Sequence, residues 1–98
     1  MTTRTVPYDR IAAQDFYKQI DWIRDEWHDP DEYRMTQKLQ RLERTFARIP
    51  SAYYERAKPL IIDLGWCRVI AGRDWQTILR ELVEIVRDWK AERRRLDG

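Results

Sequence analysis

Residues 29–49 read DPDEYRMTQKLQRLERTFARI, and this stretch decides the fold. Met35, Leu39, Leu42, Phe46 and Ile49 recur at intervals of 4, 3, 4 and 3, the spacing that lines side chains along one face of a 3.6-residue helix. The start is marked by Asp29 as N-cap, Pro30 at the first helical position, where its missing N–H has no helical partner to lose, and Glu32 placed to close a capping box. Pro50 and Ser51 mark the break that follows.

The same period extends outward in both directions. Upstream, Ala12, Phe16, Ile20, Ile23 and Trp27 form one stripe and predict a helix over residues 9–28. Downstream, Ser51 stands as the cap of a third helix that kinks or restarts at Pro59. Over residues 60–71 the apolar side chains cover most of the helix circumference, which predicts burial on several sides. Gly72 reads as a C-cap and Asp74 as the N-cap of a last helix, whose inward stripe is Ile78, Leu79, Leu82, Val86 and Trp89. With only 3 Gly and 4 Pro among 98 residues, turn formers are too few for a sandwich or barrel. The expectation is an all-α fold, a compact bundle of four to five helices over residues 1–98 as a single domain.

Composition narrows the chemistry. One Cys and one His leave no zinc cluster, no disulfide framework and no Cys-His or Ser-His catalytic set, so no metal, cofactor, small-molecule substrate or enzymatic activity is expected. Around the histidine, Asp25, Glu26, His28, Asp29, Asp31 and Glu32 gather into an acidic cluster without a second imidazole, a better rim for a basic partner than a site of catalysis. Met1 to Arg10 has no apolar core of the signal-peptide kind, the longest aliphatic run is Leu60-Ile61-Ile62, and Cys67 stands alone. A soluble, cytoplasmic protein without membrane contact is therefore expected.

Net charge is +2, but it is unevenly spread. Residues 1–33 carry four cations against eight acids, a balance of −4, and residues 34–98 carry 15 cations against nine acids, a balance of +6. With about 100° per residue and Arg34 as zero, Lys38 falls near +40°, Arg41 near −20°, Arg44 near −80° and Arg48 near −40°. These five cations form a strip about 21 Å long on one side of the helix, with Glu43 on the other. A helix that is merely solvated intersperses its signs, because like charges at i, i+4 repel. The strip therefore reads as a contact for nucleic-acid backbone, unless acids elsewhere in the chain, those of the first helix above all, neutralise it. Arg73, Arg80, Arg87 and Arg94 repeat every seven residues, but Glu81, Glu84 and Asp88 lie among them, as on an ordinary salt-bridged exterior.

Trp27 and Trp89 fall on inward stripes, whereas Trp22 lies off its stripe and Tyr53 and Tyr54 sit at a break, which makes the last three candidates for a protein interface. The helix, short turn and helix over residues 64–82 also fit a helix-turn-helix, with Gln76, Thr77 and Arg80 as readers.

Thr36-Gln37-Lys38-Leu39 opening a basic helix, Lys58-Pro59-Leu60 before an apolar and aromatic segment, and Ala71-Gly72-Arg73 before another apolar helix together resemble the Csm-type small subunit of type III CRISPR effector complexes, over about residues 35–86. The resemblance implies a non-catalytic helical bundle that stacks in several copies along a ribonucleoprotein, beside other protein subunits and with its basic face on guide and target backbone. Carried over by position, Lys38, Arg41 and Arg73 become backbone contacts. The acidic first helix has no counterpart in that family, and the Gly-Gly ending of its members is replaced here by Arg95-Leu96-Asp97-Gly98. The leading expectation is thus a small subunit of an antiviral defence complex that binds RNA, in preference to DNA, through Arg34, Lys38, Arg41, Arg44, Arg48 and Arg73. Two other classes stay open: a protein-binding module, such as a phage-encoded inhibitor of CRISPR or an antitoxin-like adaptor, and a helix-turn-helix DNA-binding regulator.

Overall fold

The computed structural model describes residues 10–70 and 74–97, with side chains over 12–70 and 74–95. Four helices follow one another: α1 (Arg10–Asp25), α2 (Glu32–Phe46), α3 (Ser51–Cys67) and α4 (Trp75–Asp97). The fold is all-α, with four helices among the described residues. No fifth helix arises at Pro59, which lies within α3 on an exposed turn where the missing N–H and its orphaned carbonyl partner face water.

Each helix packs against its two neighbours in the ring α1–α2–α3–α4–α1, leaving α1 opposite α3 and α2 opposite α4. Short connections make consecutive helices antiparallel, the up-down-up-down form of a four-helix bundle. The predicted stripes supply the core: Phe16, Ile20, Ile23, Met35, Leu42, Phe46, Leu64, Leu79, Leu82 and Val86 are almost completely buried. At one end Phe16 packs on Phe46, with ring centroids 4.4 Å apart, and meets Trp89 edge-on at 5.8 Å. At the other end Trp27 stacks on Trp75 at 4.7 Å and His28 meets Trp75 edge-on at 6.1 Å. Inside the apolar core, Gln19 and Thr45 form the one buried polar pair of α1 and α2 among the described residues, the Thr45 hydroxyl lying 3.0 Å from Gln19 Oε1 and 3.0 Å from the Arg41 carbonyl.

The caps differ in part from those expected. Asp31, not Asp29, caps α2 by accepting the Arg34 N–H, and Asp29 accepts the Asp31 N–H one turn earlier. In the sequence Asp-Pro-Asp both acids suit a cap, and the chain uses the two in series. Glu32 closes no capping box, because with Asp31 as N-cap it is the first helical residue and not the third, and its carboxylate meets Arg68 instead. Pro50 occupies the N-cap of α3, and Ser51 is its first helical residue with no capping hydrogen bond. Asp74 caps α4 as expected, accepting from the Gln76 and Thr77 amides and from the Thr77 hydroxyl, which holds its carboxyl below the usual range. Gly72 lies outside the described residues.

Candidate interaction surface

Of the five cations, Arg34, Lys38, Arg41 and Arg44 lie on α2 and Arg48 in the turn that follows it, and three of them meet acids of α1 and of the α1–α2 turn. Glu26 bridges two of them, with Oε1 3.3 Å from Arg34 Nη2 and Oε2 3.4 Å from Lys38 Nζ. Asp29 stands 3.9 Å from the other Arg34 nitrogen, and Asp15 lies 3.7 Å from Arg48 Nη1. Arg41 rests over the Trp22 ring, 5.7 Å from its centroid, while Arg44 is exposed and meets no carboxylate among the described residues. Of the two alternatives the sequence left open for the strip, neutralisation by acids of the same chain holds for Arg34, Lys38 and Arg48. Such pairs stabilise the fold by little in water. Their consequence is to interrupt the track of positive potential a phosphate backbone would follow. Arg73 lies outside the described residues.

Gln19, Trp22, Arg34, Gln37, Lys38 and Arg41 line an open cleft of about 170 Å³ between α1 and α2. Sites for whole small molecules run from roughly 300 Å³ upward, so this cleft is too small for one. Among the described residues no group of three His, Cys, Asp or Glu side chains stands where it would hold a metal ion. No helix among them is long and apolar enough to cross a membrane.

The aromatic residues expected at an interface are occupied within the bundle. Tyr53 is buried at the first turn of α3. Tyr54 is half-buried and donates its hydroxyl to Glu43 at 3.1 Å, which pushes its ionisation above the usual range. Trp22 is half-buried, with Lys18 and Arg41 over its ring. The turn of the helix-turn-helix reading falls in residues 71–73, outside those described, and two of its readers, Thr77 and Arg80, are drawn into the α4 cap network, Arg80 donating to the Thr77 hydroxyl.

The exposed apolar surface lies elsewhere. On α3 and its exit, Ile62 is 51% exposed, Trp66 55%, Val69 74% and Ile70 57%, and Tyr33 at the start of α2 is 72% exposed. Ile62 and Trp66 lie on α3 opposite the buried face of Tyr53, Ala57, Ile61 and Leu64, and the exit turn, in which the Val69 and Ile70 amides both bond the Trp66 carbonyl, carries Val69 and Ile70 on beside them. The all-round apolar character of this segment therefore arises from two opposed faces. One is buried in the bundle, and the other, turned outward from the ring, packs against no helix among the described residues.

Arg68 fixes the end of the molecule from which this face projects. Its guanidinium, 7% exposed, donates to the Trp27 and Asp29 carbonyls, forks onto both carboxylate oxygens of Glu32 at 3.0 and 2.6 Å, and lies over the Trp27 ring at 5.1 Å. The hydrogen bonds from Arg68 hold the Glu32 carboxyl below its usual range. One side chain thus joins the α1–α2 turn, the first turn of α2 and the end of α3. Sequence reasoning passed over Arg68, although a single cation within the apolar run 60–71 was a signal that something buried needed a donor.

Comparison with known proteins adds no relative: no family model matches the chain, and no curated protein or solved structure is similar to it. The resemblance to the Csm-type subunit therefore rests on residues 36–39, 58–60 and 71–73 alone.

Proposed function

We propose that this chain is a non-catalytic protein-binding module that docks through the outward face of α3. The observation that carries the reading is the patch Ile62, Trp66, Val69 and Ile70, each more than half exposed, the first two on α3 opposite its buried face and the last two in the turn that leaves it. Scattered apolar residues on a surface need no explanation, but four along one line, with a tryptophan at the centre, form the kind of patch that marks a contact with another protein. A reducing, cytoplasmic setting agrees with the single cysteine.

The nucleic-acid reading keeps Arg41 and Arg44 but not the continuous strip on which it was built, because Glu26, Asp29 and Asp15 stand among the other three cations. The two readings separate in one experiment. The native protein is purified at low salt as wild type, as Trp66→Glu and as the double variant Arg41→Glu/Arg44→Glu, and the accompanying protein and nucleic acid are measured. The proposal expects a protein partner that is lost from Trp66→Glu and kept by the double variant. Nucleic acid that accompanies the wild type, is lost from the double variant and persists with Trp66→Glu would overturn it.

A further inference from the structure

We infer that the occupant of the α3 face is a second copy of this chain, related by a twofold axis that passes beside Trp66; this rests on reading that face as a protein-docking surface. The stripe is symmetric in its own sequence, since Ile62 and Ile70 stand four residues before and four residues after Trp66. When two such segments, each the last turn of α3 with the exit turn that the Ile70-to-Trp66 hydrogen bond closes, pack antiparallel about Trp66, Ile62 of one copy lies at the level of Ile70 of the other, and the two Trp66 rings meet at the centre.

Twofold contact also restricts charge, because residues near the axis meet their own kind, and a cation or anion there would face a like charge. On a helical projection the positions within about 40° of Trp66 between Pro59 and Ile70 are Pro59, Ile62, Trp66 and Ile70, and none is charged. Asp63 stands about 60° to one side of Trp66, as far round as Val69 on the other, and Glu55, although in line with Trp66, lies about 16 Å back along α3, beyond the overlap of two antiparallel copies. Such a stripe suits self-pairing, whereas a surface evolved for a basic or acidic foreign partner would place a complementary charge near its centre.

The area is adequate. The four side chains together expose on the order of 500 Å² of apolar surface, toward the upper end of the largest patches on ordinary monomers. Flanking surface brings this toward the roughly 800 Å² that each partner of a standard interface contributes. A twofold pair closes on itself. It therefore differs from a head-to-tail stack, in which one surface meets a different one and growth has no end.

The mass in solution tests this, measured by light scattering from about 10 µM to about 1 mM, a range that captures a modest dissociation constant. Wild type is expected to pass from 12.1 kDa toward twice that mass. Trp66→Glu and Val69→Lys, both at exposed positions, are expected to stay monomeric with unchanged helical circular dichroism. In a Cys67→Ser background, Trp66→Cys is expected to form a disulfide-linked dimer on mild oxidation, since a residue beside the axis lies close to its own mate. A monomer throughout, a dimer indifferent to both charged variants, or open-ended growth would each overturn the second-copy inference. If the chain is monomeric and Trp66→Glu still removes a foreign protein from the native preparation, the docking reading stands without it. If the chain is monomeric and Trp66→Glu removes nothing, both fall.

Discussion

Replacing Arg68 with methionine keeps the apolar stem and deletes the guanidinium, and its cost follows from what that group touches. The Trp27 and Asp29 carbonyls lose a charged donor, and at a side chain only 7% exposed solvent replaces it poorly. A hydrogen bond to a charged group contributes about 1.5 kcal/mol or more when buried, and about 1 kcal/mol each is a reasonable value for these part-buried acceptors. The contact over the Trp27 ring adds about 1 kcal/mol. The glutamate partner is exposed and adds no figure of its own. The sum is about 3 kcal/mol, which in a domain of this size corresponds to a fall in Tm of about 15 °C. Thermal unfolding followed by circular dichroism, with urea titration as a second measure, reads it directly. Arg68→Lys should restore less than half, because an ammonium cannot span two carbonyls and a carboxylate in one plane. Glu32→Gln should cost far less than Arg68→Met. A fall of less than about 4 °C for Arg68→Met, which is under about 1 kcal/mol, or a Glu32→Gln loss of equal size, would refute the assignment of the stabilisation to the backbone carbonyls.

Four further outcomes are expected. Thr45→Val should cost about 1–3 kcal/mol because it strands the buried Gln19 oxygen, and Thr45→Val/Gln19→Leu should recover much of that loss in urea titration, since removing both polar partners leaves no orphan. Gly65→Ala should stabilise α3 by about 0.5–1 kcal/mol, because the new Cβ meets only Leu39 Cδ1, at an ordinary 3.9 Å, and helix propensity favours alanine; a Tm below that of wild type would show that the site is tighter than it looks. Glu32 and Asp74 both have carboxyls held below their ordinary values of 4.5 and 3.8, so the stability they contribute is present above those values and is lost as pH falls through them toward the lower folded-state values. Glu32→Gln/Asp74→Asn should therefore flatten the acid limb of a plot of Tm against pH. Tyr54 has the opposite sign: its raised ionisation contributes stability below pH 10.0 that is lost as pH rises through the folded-state value, and Tyr54→Phe should flatten the alkaline limb.

Most of the fold was legible in the sequence because spacing reports which side of a helix is apolar. The stripes of α1, α2 and α4 became the core almost residue for residue. Spacing does not report what stands across from the other side. It placed Arg34, Lys38, Arg41, Arg44 and Arg48 together, but the positions of Glu26 and Asp15 opposite them depend on how α1 lies against α2. The uneven charge of the two parts of the chain was the available hint. The apolar face of α3 was visible as composition over residues 60–71, and burial on several sides was the natural expectation. It failed for a topological reason, since four helices in a ring give each only two adjacent neighbours. Tyr53 and Tyr54 were read as interface candidates because they sit at the break marked by Pro50 and Ser51. In the structure the break is only a corner, and α3 starts at once with Tyr53 turned inward. Trp66 was passed over among its apolar neighbours because helical spacing does not tell which of two opposed apolar faces the bundle will cover.

The central claim is that the contact surface is the outer face of α3 and not the cationic side of α2. Hydroxyl-radical footprinting of the native assembly against the isolated chain tests it most directly, because Trp66 and Trp22 are both oxidisable and stand on the two competing surfaces. Protection of Trp66, with Trp22 oxidised at the same rate in both states, is the predicted result. Protection of Trp22 while Trp66 is oxidised as in the isolated chain would contradict it.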